Sequence, residues 1–223
     1  MQYITTPLRV AVGSHQAGSG KGCAMNVVSW INGDTTITDY PDCSDLLLTR
    51  LVQNVNDSLC GHTDDDDGEL LCPDCSRTAI DLGLRTIGTG LPGDATPEQR
   101  DARRRVWVTL AVEAAEAADG PGGDPALISA REQVWRWLRG GQEPPLTIEA
   151  GGATPDAMES ARAAAFGSGT AYAYARDAIA HEGLDAGLVS AVIDRFHELT
   201  GTTPAPVAPE AVASAAERMT ATA

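Results

Sequence analysis

Aromatic residues are scarce in this sequence and make up only 4% of its 223 residues. Hydrophobic residues still account for 43% of the chain, which excludes a protein that is disordered throughout. We therefore expect a core built mainly from alanine, valine, leucine and isoleucine, whose smaller side chains each bury little area. The length suits one substantial domain or two small ones.

Long apolar runs are also missing. No segment approaches the roughly 18 continuous apolar residues that a membrane span needs, so we expect no membrane partner. Residues 1–7 (MQYITTP) contain no basic patch followed by an apolar run, the pattern typical of a secretion signal. Five cysteines, an odd number, suit a reducing compartment better than a disulfide framework. We therefore expect a cytoplasmic protein.

Positive charge is sparse, with 16 Lys and Arg against 31 Asp and Glu and a formal net charge of −15. Such a field repels phosphate backbones, which argues against direct nucleic-acid binding through a basic face. The need for solubility is sufficient to explain the negative charge. The alternative is that the protein imitates nucleic acid and so binds a basic partner. Lys21 is the only lysine, which sets its ammonium apart from the guanidinium groups of the other basic residues.

Composition divides the chain into two parts. All five cysteines precede residue 76, whereas most alanines follow residue 100. We predict an α+β fold that is predominantly α-helical. It comprises a Cys/His-containing module over residues 1–95, an alanine-rich helical bundle over 96–204, and a linker with a C-terminal helix over 205–223.

The first part mixes strand and helix patterns. Residues 8–12 (LRVAV) predict a short strand, and the β-branched residues 35–38 predict a second strand or an edge. A glycine-rich loop over residues 13–22 separates the first strand from a predicted helix over 23–31. The tetrapeptide Pro-Asp-Cys-Ser then occurs twice, each time before an apolar helical pattern. Its Asp or Ser can cap the first free amides of a helix, so capping alone is sufficient to explain the repeat.

The second part is punctuated like a bundle of helices. Thr96 and Gln99 form a capping box around a proline at the first helical position, which predicts a helix up to about residue 119. Further helices are predicted over residues 125–139, from 154 with an interruption at 167–169, and over 171–181, 184–199 and 209–219. Helical surfaces with many small residues suit self-association, so we expect a protein partner or a second copy of the chain.

A set of short motifs recurs through the first part. It comprises residues 22–34 (GCAMNVVSWINGD) and 39–43 (DYPDC), and continues at residues 55–57, 71–75 and 85–89. These motifs resemble a signature shared by uncharacterised proteins of actinobacteria and their phages. The resemblance extends over the first part of the chain, and the alanine-rich remainder is similar in style only. It implies an actinobacterial or phage origin, hence the host cytoplasm if a phage encodes the protein, but it implies no activity.

The layout around Lys21 resembles a phosphate-binding loop. A strand pattern leads into glycines, among them Gly18, Gly20 and Gly22, with a helix behind them. Backbone amides and a helix N-terminus hold oxyanions in such loops, and the lysine adds charge. The nucleotide-binding pattern, however, requires Ser or Thr where Gly22 stands and glycine where His15 stands. Anion binding at this loop is therefore an alternative, and a tight turn into a buried helix is the favoured interpretation.

Cys23 is the candidate nucleophile of an enzyme. It should lie in the first turn of the helix over residues 23–31, where aligned amide dipoles lower the pKa of a thiol. Gln16, His15 and His62 are the candidate oxyanion donor and base. The surrounding sequence lacks the papain-type signature, and cysteine is often buried as a small apolar residue. Core packing is therefore favoured for Cys23.

The better candidate site is a cluster of cysteine and histidine. Cys60, His62, Cys72 and Cys75 offer four soft ligands, and the Cys-x-x-Cys pair lets two sulfurs face one point. Four protein ligands complete the coordination of a zinc ion, which predicts a structural metal and no open catalytic position. Cys43 can replace Cys60 or His62. Free thiols beside a helix start and a solvated histidine are the alternative.

These patterns favour a non-catalytic protein-interaction or accessory protein with a structural zinc site. The first alternative is an enzyme that uses Cys23, or an anion-binding or nucleotide-binding glycine loop around Lys21. The second is an acidic nucleic-acid mimic that blocks a basic partner, which predicts carboxylates spaced along one face like phosphates.

Overall fold

The computed structural model describes residues 9–13, 15, 21–59, 69–119, 125–141 and 186–220. This part of the chain is predominantly helical. Its helices are α1 (Ala24–Asn32), α2 (Leu46–Ser58), α3 (Pro73–Leu84), α4 (Pro97–Asp119), α5 (Pro125–Leu138), α6 (Ala186–Thr200) and α7 (Pro209–Thr220). No helix in the described ranges combines the length and apolar content needed to span a bilayer. The helices predicted from residue 154 and over 171–181 lie outside the described residues.

Strand pairing is limited to one short contact in the part of the chain that the structure describes. Ala11 and Leu70 form an isolated antiparallel bridge, and the amide of Leu71 donates to the carbonyl of Val10 at 2.9 Å. The second strand predicted at residues 35–38 is wrong, because these residues form bends and irregular coil without a strand partner. A β-branched run is a weak signal unless a neighbouring strand pairs with it. The described fold is therefore mainly helical, not α+β.

Contacts divide the chain into two compact units. The first comprises Met1–Asp94 together with Leu184–Ala223, and the second comprises Ala95–Gly183. The sequence-based boundary after residue 95 lies next to this division. The later boundaries differ. The sequence pattern places α6 in the bundle over 96–204 and α7 in the segment over 205–223. In the structure α6 packs on α2 and α3, and α7 packs on α1.

Helix α1 lies at the centre of the first unit, where it contacts α2, α3 and α7. Its first six residues, Ala24 to Ser29, are all buried. Gly83 of α3 allows the close approach of these two helices. A Cβ atom at Gly83 would lie 3.1 Å from a methyl carbon of Val28 and 3.5 Å from the carbonyl oxygen of Ala24. The predicted helix over residues 23–31 is thus confirmed to within one residue at each end.

The two Pro-Asp-Cys-Ser tetrapeptides play different structural parts. The first forms a turn, in which Ser44 donates its amide to the carbonyl of Pro41 at 3.0 Å. The cap of α2 is the next residue, Asp45, whose carboxylate accepts the amide of Leu47 at 2.9 Å. The second tetrapeptide is the first turn of α3, which is capped by Cys72. The prediction that the Asp or Ser of each repeat caps its helix is therefore wrong.

The turn after α3 holds the segment that leads into α2. The carbonyl of Cys43 accepts the amides of Gly88 at 2.8 Å and Gly90 at 3.0 Å, and Asp45 donates its amide to Thr89 Oγ1 at 2.9 Å. A Cβ atom at Gly90 would overlap the carbonyl oxygen of Asp42. Glycine is therefore required at Gly90 by close backbone approach, although its φ is not positive.

Helix α6 is fastened to the end of α3 by polar side chains. Arg85 donates to the hydroxyl of Ser190 at 2.7 Å and forms an ion pair with Asp194. The buried ring of His197 contacts the carbonyl of Arg85 through Nε2 at 2.8 Å, and Thr202 Oγ1 through Nδ1 at 2.8 Å. Both ring nitrogens therefore serve to hold the structure together.

The second unit is described through α4 and α5, which pack against each other. The predicted capping box is confirmed, since Thr96 and Gln99 exchange side-chain and backbone hydrogen bonds of 2.8 and 3.3 Å. The shared core contains Val108, Val112, Val134 and Trp137. Arg105 covers Trp137, with its guanidinium carbon 4.5 Å from the ring centroid, and donates to the carbonyl of the same residue at 3.2 Å. Cation–π contact and hydrogen bond together join the two helices.

Replacing Gly90 with alanine should lower the free energy of unfolding by about 1–3 kcal/mol, because the added methyl overlaps the Asp42 carbonyl and separates two packed segments. Urea denaturation measures this difference. Gly93 provides a matched control in the same segment, since a Cβ atom there meets nothing within 4 Å. Gly93→Ala should leave the unfolding free energy unchanged or slightly raised. Equal stability of Gly90→Ala and the wild type would contradict the close approach.

Candidate functional site

Cys23 lies at the buried start of α1, where it is the N-cap residue with extended backbone angles, φ −82° and ψ 175°. Only 2% of its surface is exposed. Its sulfur faces Asp39 of the following loop, and the thiol donates to Asp39 Oδ1 at 3.7 Å. The structure thus places the candidate nucleophile inside the core of the first unit, in agreement with the favoured interpretation of core packing.

The protonation of Cys23 differs from that of a cysteine nucleophile. Burial, followed by the negative charge of Asp39, raises the pKa of the Cys23 thiol to about 12. Hydrogen bonds from the amides of Asn26 and Met25 act in the opposite direction and are weaker. The expectation that a helix N-terminus lowers this pKa is therefore wrong, because desolvation and a neighbouring carboxylate outweigh the helix dipole. Near neutral pH the sulfur is a hydrogen-bond donor.

Asparagine side chains accept hydrogen bonds from the backbone amides at the start of α1. The amide of Cys23 donates to Asn26 Oδ1 at 2.9 Å, and the amide of Ala24 donates to Asn56 Oδ1 at 3.2 Å. Asn56 is fully buried and donates its own amide group to the carbonyl of Ala11 at 2.8 Å. A single side chain of α2 thereby joins the start of α1 to the extended segment beside it.

The loop between α1 and α2 is held against α1 by similar contacts. Asp39 accepts from Asn26 Nδ2 at 2.7 Å, and its carbonyl accepts from Gln53 of α2 at 2.9 Å. The hydroxyl of Ser29 donates to Asp34 Oδ2 at 2.6 Å and accepts the amide of Thr38. Through these contacts the loop packs against the polar side chains of α1 and covers the start of the helix.

The glycine loop is described at residues 13, 15, 21 and 22, whereas Gly18 and Gly20 lie outside the described residues. His15 Nε2, a candidate base, lies 2.9 Å from the carbonyl of Val12. The ammonium of Lys21 forms an ion pair with the carboxylate of Glu69, and the carbonyl of Gly22 accepts the amide of Ala11 at 2.9 Å. Because side chains already bind the amides at the start of α1, that helix end presents no ready-made anion cradle. Anion binding by the loop itself stays a prediction.

The structure describes two of the four predicted metal ligands, Cys72 and Cys75. Cys72 caps α3, and its sulfur accepts the amide of Cys75 at 3.5 Å. The Cys75 thiol donates to the carbonyl of Leu59 at 3.6 Å. Cys60 and His62 lie outside the described residues, and the described ranges contain no group of three or more metal-binding side chains. The structure therefore brings Cys72 and Cys75 together and leaves the other two ligands a prediction.

Cys43, the alternative ligand, lies in the segment that the turn after α3 holds. Burial, followed by the charge of Asp34, raises the pKa of the Cys43 thiol to about 11. This direction opposes metal binding, because zinc binds the thiolate and must displace the proton. The described surroundings of Cys43 thus make it a poorer ligand than the sequence pattern indicates.

Sequence reasoning missed the residues that organise this region, namely Asn26, Asp39 and Asn56. All three fall in the motifs that carry the resemblance to actinobacterial and phage proteins. A further signal was available for Asn56, which follows Val52 by four residues and so shares the apolar face of α2. A polar amide at such a position indicates a buried hydrogen-bonding role.

Comparisons with known protein families, with curated proteins and with solved structures found no match to this chain.

In the folded protein, Cys23 should react with iodoacetamide at pH 8 at least about a thousandfold more slowly than in urea, because only thiolate reacts and its pKa is far above the pH. Mass spectrometry of the labelled peptides measures the rate at each cysteine. Asp39→Asn should lower the pKa of Cys23, since a nearby negative charge is removed while burial remains. Rapid labelling of Cys23 at pH 6 in the folded wild type would contradict the assignment.

Proposed function

We propose that this protein is a non-catalytic protein-interaction or accessory protein, of actinobacterial or phage origin, that binds a protein partner through its first unit. The observation that carries the proposal is the exposure of two large apolar side chains, Tyr40 at 48% and Leu46 at 51%. Among the described residues only Ile128 is a further exposed large hydrophobic residue. Tyr40 and Leu46 lie six positions apart, at the two ends of one short segment.

That segment is held rigidly, which supports a role in binding. Within it Pro41 is buried, the Cys43 carbonyl accepts two amides from the turn after α3, and Asp45 both caps α2 and donates to Thr89. A surface that is fixed before binding loses little conformational entropy when a partner docks. Tyrosine is also enriched among the residues that dominate binding energy at interfaces. We call Tyr40 and Leu46 the apolar pair.

Chemistry at Cys23 supports a non-catalytic function. A nucleophilic cysteine needs a thiolate or a base that takes its proton. Here burial of the sulfur, with the side chain 2% exposed, and then the neighbouring carboxylate of Asp39 raise the pKa of Cys23 and keep its thiol protonated. The enzyme alternative that depends on Cys23 therefore has little physical support.

Electrostatics favours a partner that is basic or neutral. The net charge of −15 opposes approach of nucleic acid, so we propose no direct nucleic-acid binding. Asp42 is exposed between the members of the apolar pair and would complement a positive side chain on the partner. A nucleic-acid mimic would instead bind through many distributed carboxylates, and its binding would weaken steeply with salt.

Replacing both members of the apolar pair with aspartate should weaken partner binding about tenfold or more, because buried aromatic and aliphatic anchors dominate interface energies. Self-association is measured by sedimentation equilibrium, and binding to other proteins by affinity capture followed by titration of the captured protein. Ile128→Asp is the matched control and should bind like the wild type. Binding that survives the double substitution but falls steeply with salt would favour the mimic alternative and contradict this proposal.

We also propose that Cys60, His62, Cys72 and Cys75 hold a structural zinc ion in the first unit. Two observations support this. Cys72 and Cys75 lie within one turn at the start of α3, and Cys75 contacts the carbonyl of Leu59, the residue that precedes Cys60 in the chain. Thiolate and imidazole are the ligands that zinc prefers, and four of them would leave no open position for catalysis.

Elemental analysis of the purified protein should find about one zinc ion per chain, and chelation should lower the melting temperature because metal binding is coupled to folding. Cys75→Ala should remove the zinc. Cys43→Ser is the control and should retain it, since Cys43 is not among the four proposed ligands. Absence of metal together with an unchanged melting temperature after chelation would exclude the site. Loss of zinc from Cys43→Ser would show that Cys43 is a ligand in place of one of the proposed four.

A further inference from the structure

Two thiols lie at the start of α3 in positions suited to a reversible disulfide. Cys72 is the N-cap residue and Cys75 is the third residue of the helix, with Pro73 at the first position between them. Helix geometry places Cα atoms three residues apart at about 5 Å, and disulfides join Cα atoms about 4.4–6.8 Å apart. Both residues are thiols in the structure, and the Cys75 amide donates to Cys72 Sγ at 3.5 Å.

The two sulfurs make different hydrogen bonds, and only one of these depends on the thiol proton. Cys72 Sγ accepts a hydrogen bond from a backbone amide. The Cys75 thiol donates a hydrogen bond to the carbonyl of Leu59, the cap residue at the end of α2. The reduced form of Cys75 therefore links the start of α3 to the last turn of α2, over a separation of 16 residues in sequence.

We propose that Cys72 and Cys75 form a redox-sensitive dithiol that fastens α3 to the end of α2 when reduced and releases this contact when oxidised. A disulfide has no thiol proton, so Cys75 can no longer donate to Leu59. The last carbonyls of a helix have no partner within the helix, and loss of an external donor frays the final turn. The inference goes beyond the proposed partner binding and concerns the metal-free protein, because a zinc-bound sulfur carries no proton with which to hydrogen-bond Leu59.

The oxidant is a small disulfide, written R–S–S–R. One cysteine loses its proton to solvent, and its sulfur attacks this bond. A mixed disulfide forms, and one R–S⁻ leaves and takes up a proton. The second cysteine sulfur then attacks the mixed disulfide, which forms the Cys72–Cys75 bond and releases the second R–SH. The two cysteines together lose two protons and two electrons, and R–S–S–R is reduced to two R–SH. The second step is intramolecular and therefore favoured by a high effective concentration.

The experiment treats chelator-washed protein with oxidised glutathione and follows two quantities. Peptide mass spectrometry should find a peptide from residues 72–75 that has lost two hydrogen atoms, at a glutathione concentration about tenfold below that which modifies Cys43. Hydrogen exchange should accelerate about three- to tenfold at the amides of Ser58 and Leu59, because one hydrogen bond at the end of α2 is lost. Chelator washing gives the metal-free protein to which this inference applies, and elemental analysis tests the zinc proposal separately.

Two variants of Cys75 separate the contact from the oxidation. Cys75→Ser retains a hydroxyl donor for Leu59 but cannot form the disulfide, so exchange at the end of α2 should not respond to oxidised glutathione. Cys75→Ala removes the donor and should show the faster exchange without any oxidant. Absence of the intramolecular disulfide in the wild type would overturn the proposal. A disulfide that forms without faster exchange at Ser58 and Leu59 would overturn it equally.

Discussion

The first backbone amides of any helix lack acceptors within that helix, and α1 begins where its residues are buried. Leaving such amides without partners would cost about 1–3 kcal/mol each. The structure meets this requirement with side chains from three places: the cap residue Cys23, Asn26 within the helix, and Asn56 of α2. Because Asn56 also binds the carbonyl of Ala11, the same side chain fixes the positions of α1, α2 and the extended segment relative to one another.

This arrangement also determines what the thiol at the helix start can do. The helix dipole alone would favour a thiolate at Cys23. Burial and the carboxylate of Asp39 have the larger effect and keep the proton on sulfur. The thiol therefore becomes one more donor in the network that holds the loop against α1. Position at a helix N-terminus is thus an insufficient criterion for a reactive cysteine, since burial of the sulfur and then the charge of its neighbour outweigh the helix dipole.

Helices were predictable from this sequence to a useful degree, since α1, α4 and α7 begin and end close to the expected residues. Their signals are local: a capping box at Thr96, prolines at first helical positions, and glycine after α1. The strand expected at residues 35–38 was not found, because strand formation requires a partner that local sequence cannot reveal. For the candidate site, the pairing of Cys72 with Cys75 follows from their spacing. The roles of Asp39 and Asn56 do not, because they depend on contacts between elements distant in sequence.

The first unit is discontinuous in sequence, since residues 95–183 separate its early helices from α6 and α7. A ribosome therefore releases α1, α2 and α3 long before the helices that cover them. Until residues 184–223 have been synthesised, the nascent chain lacks the partner for Arg85 and the helix that packs on α1. Folding of this unit can therefore finish only after α6 and α7 have been synthesised, and until then the early helices expose the apolar surface that these two helices cover.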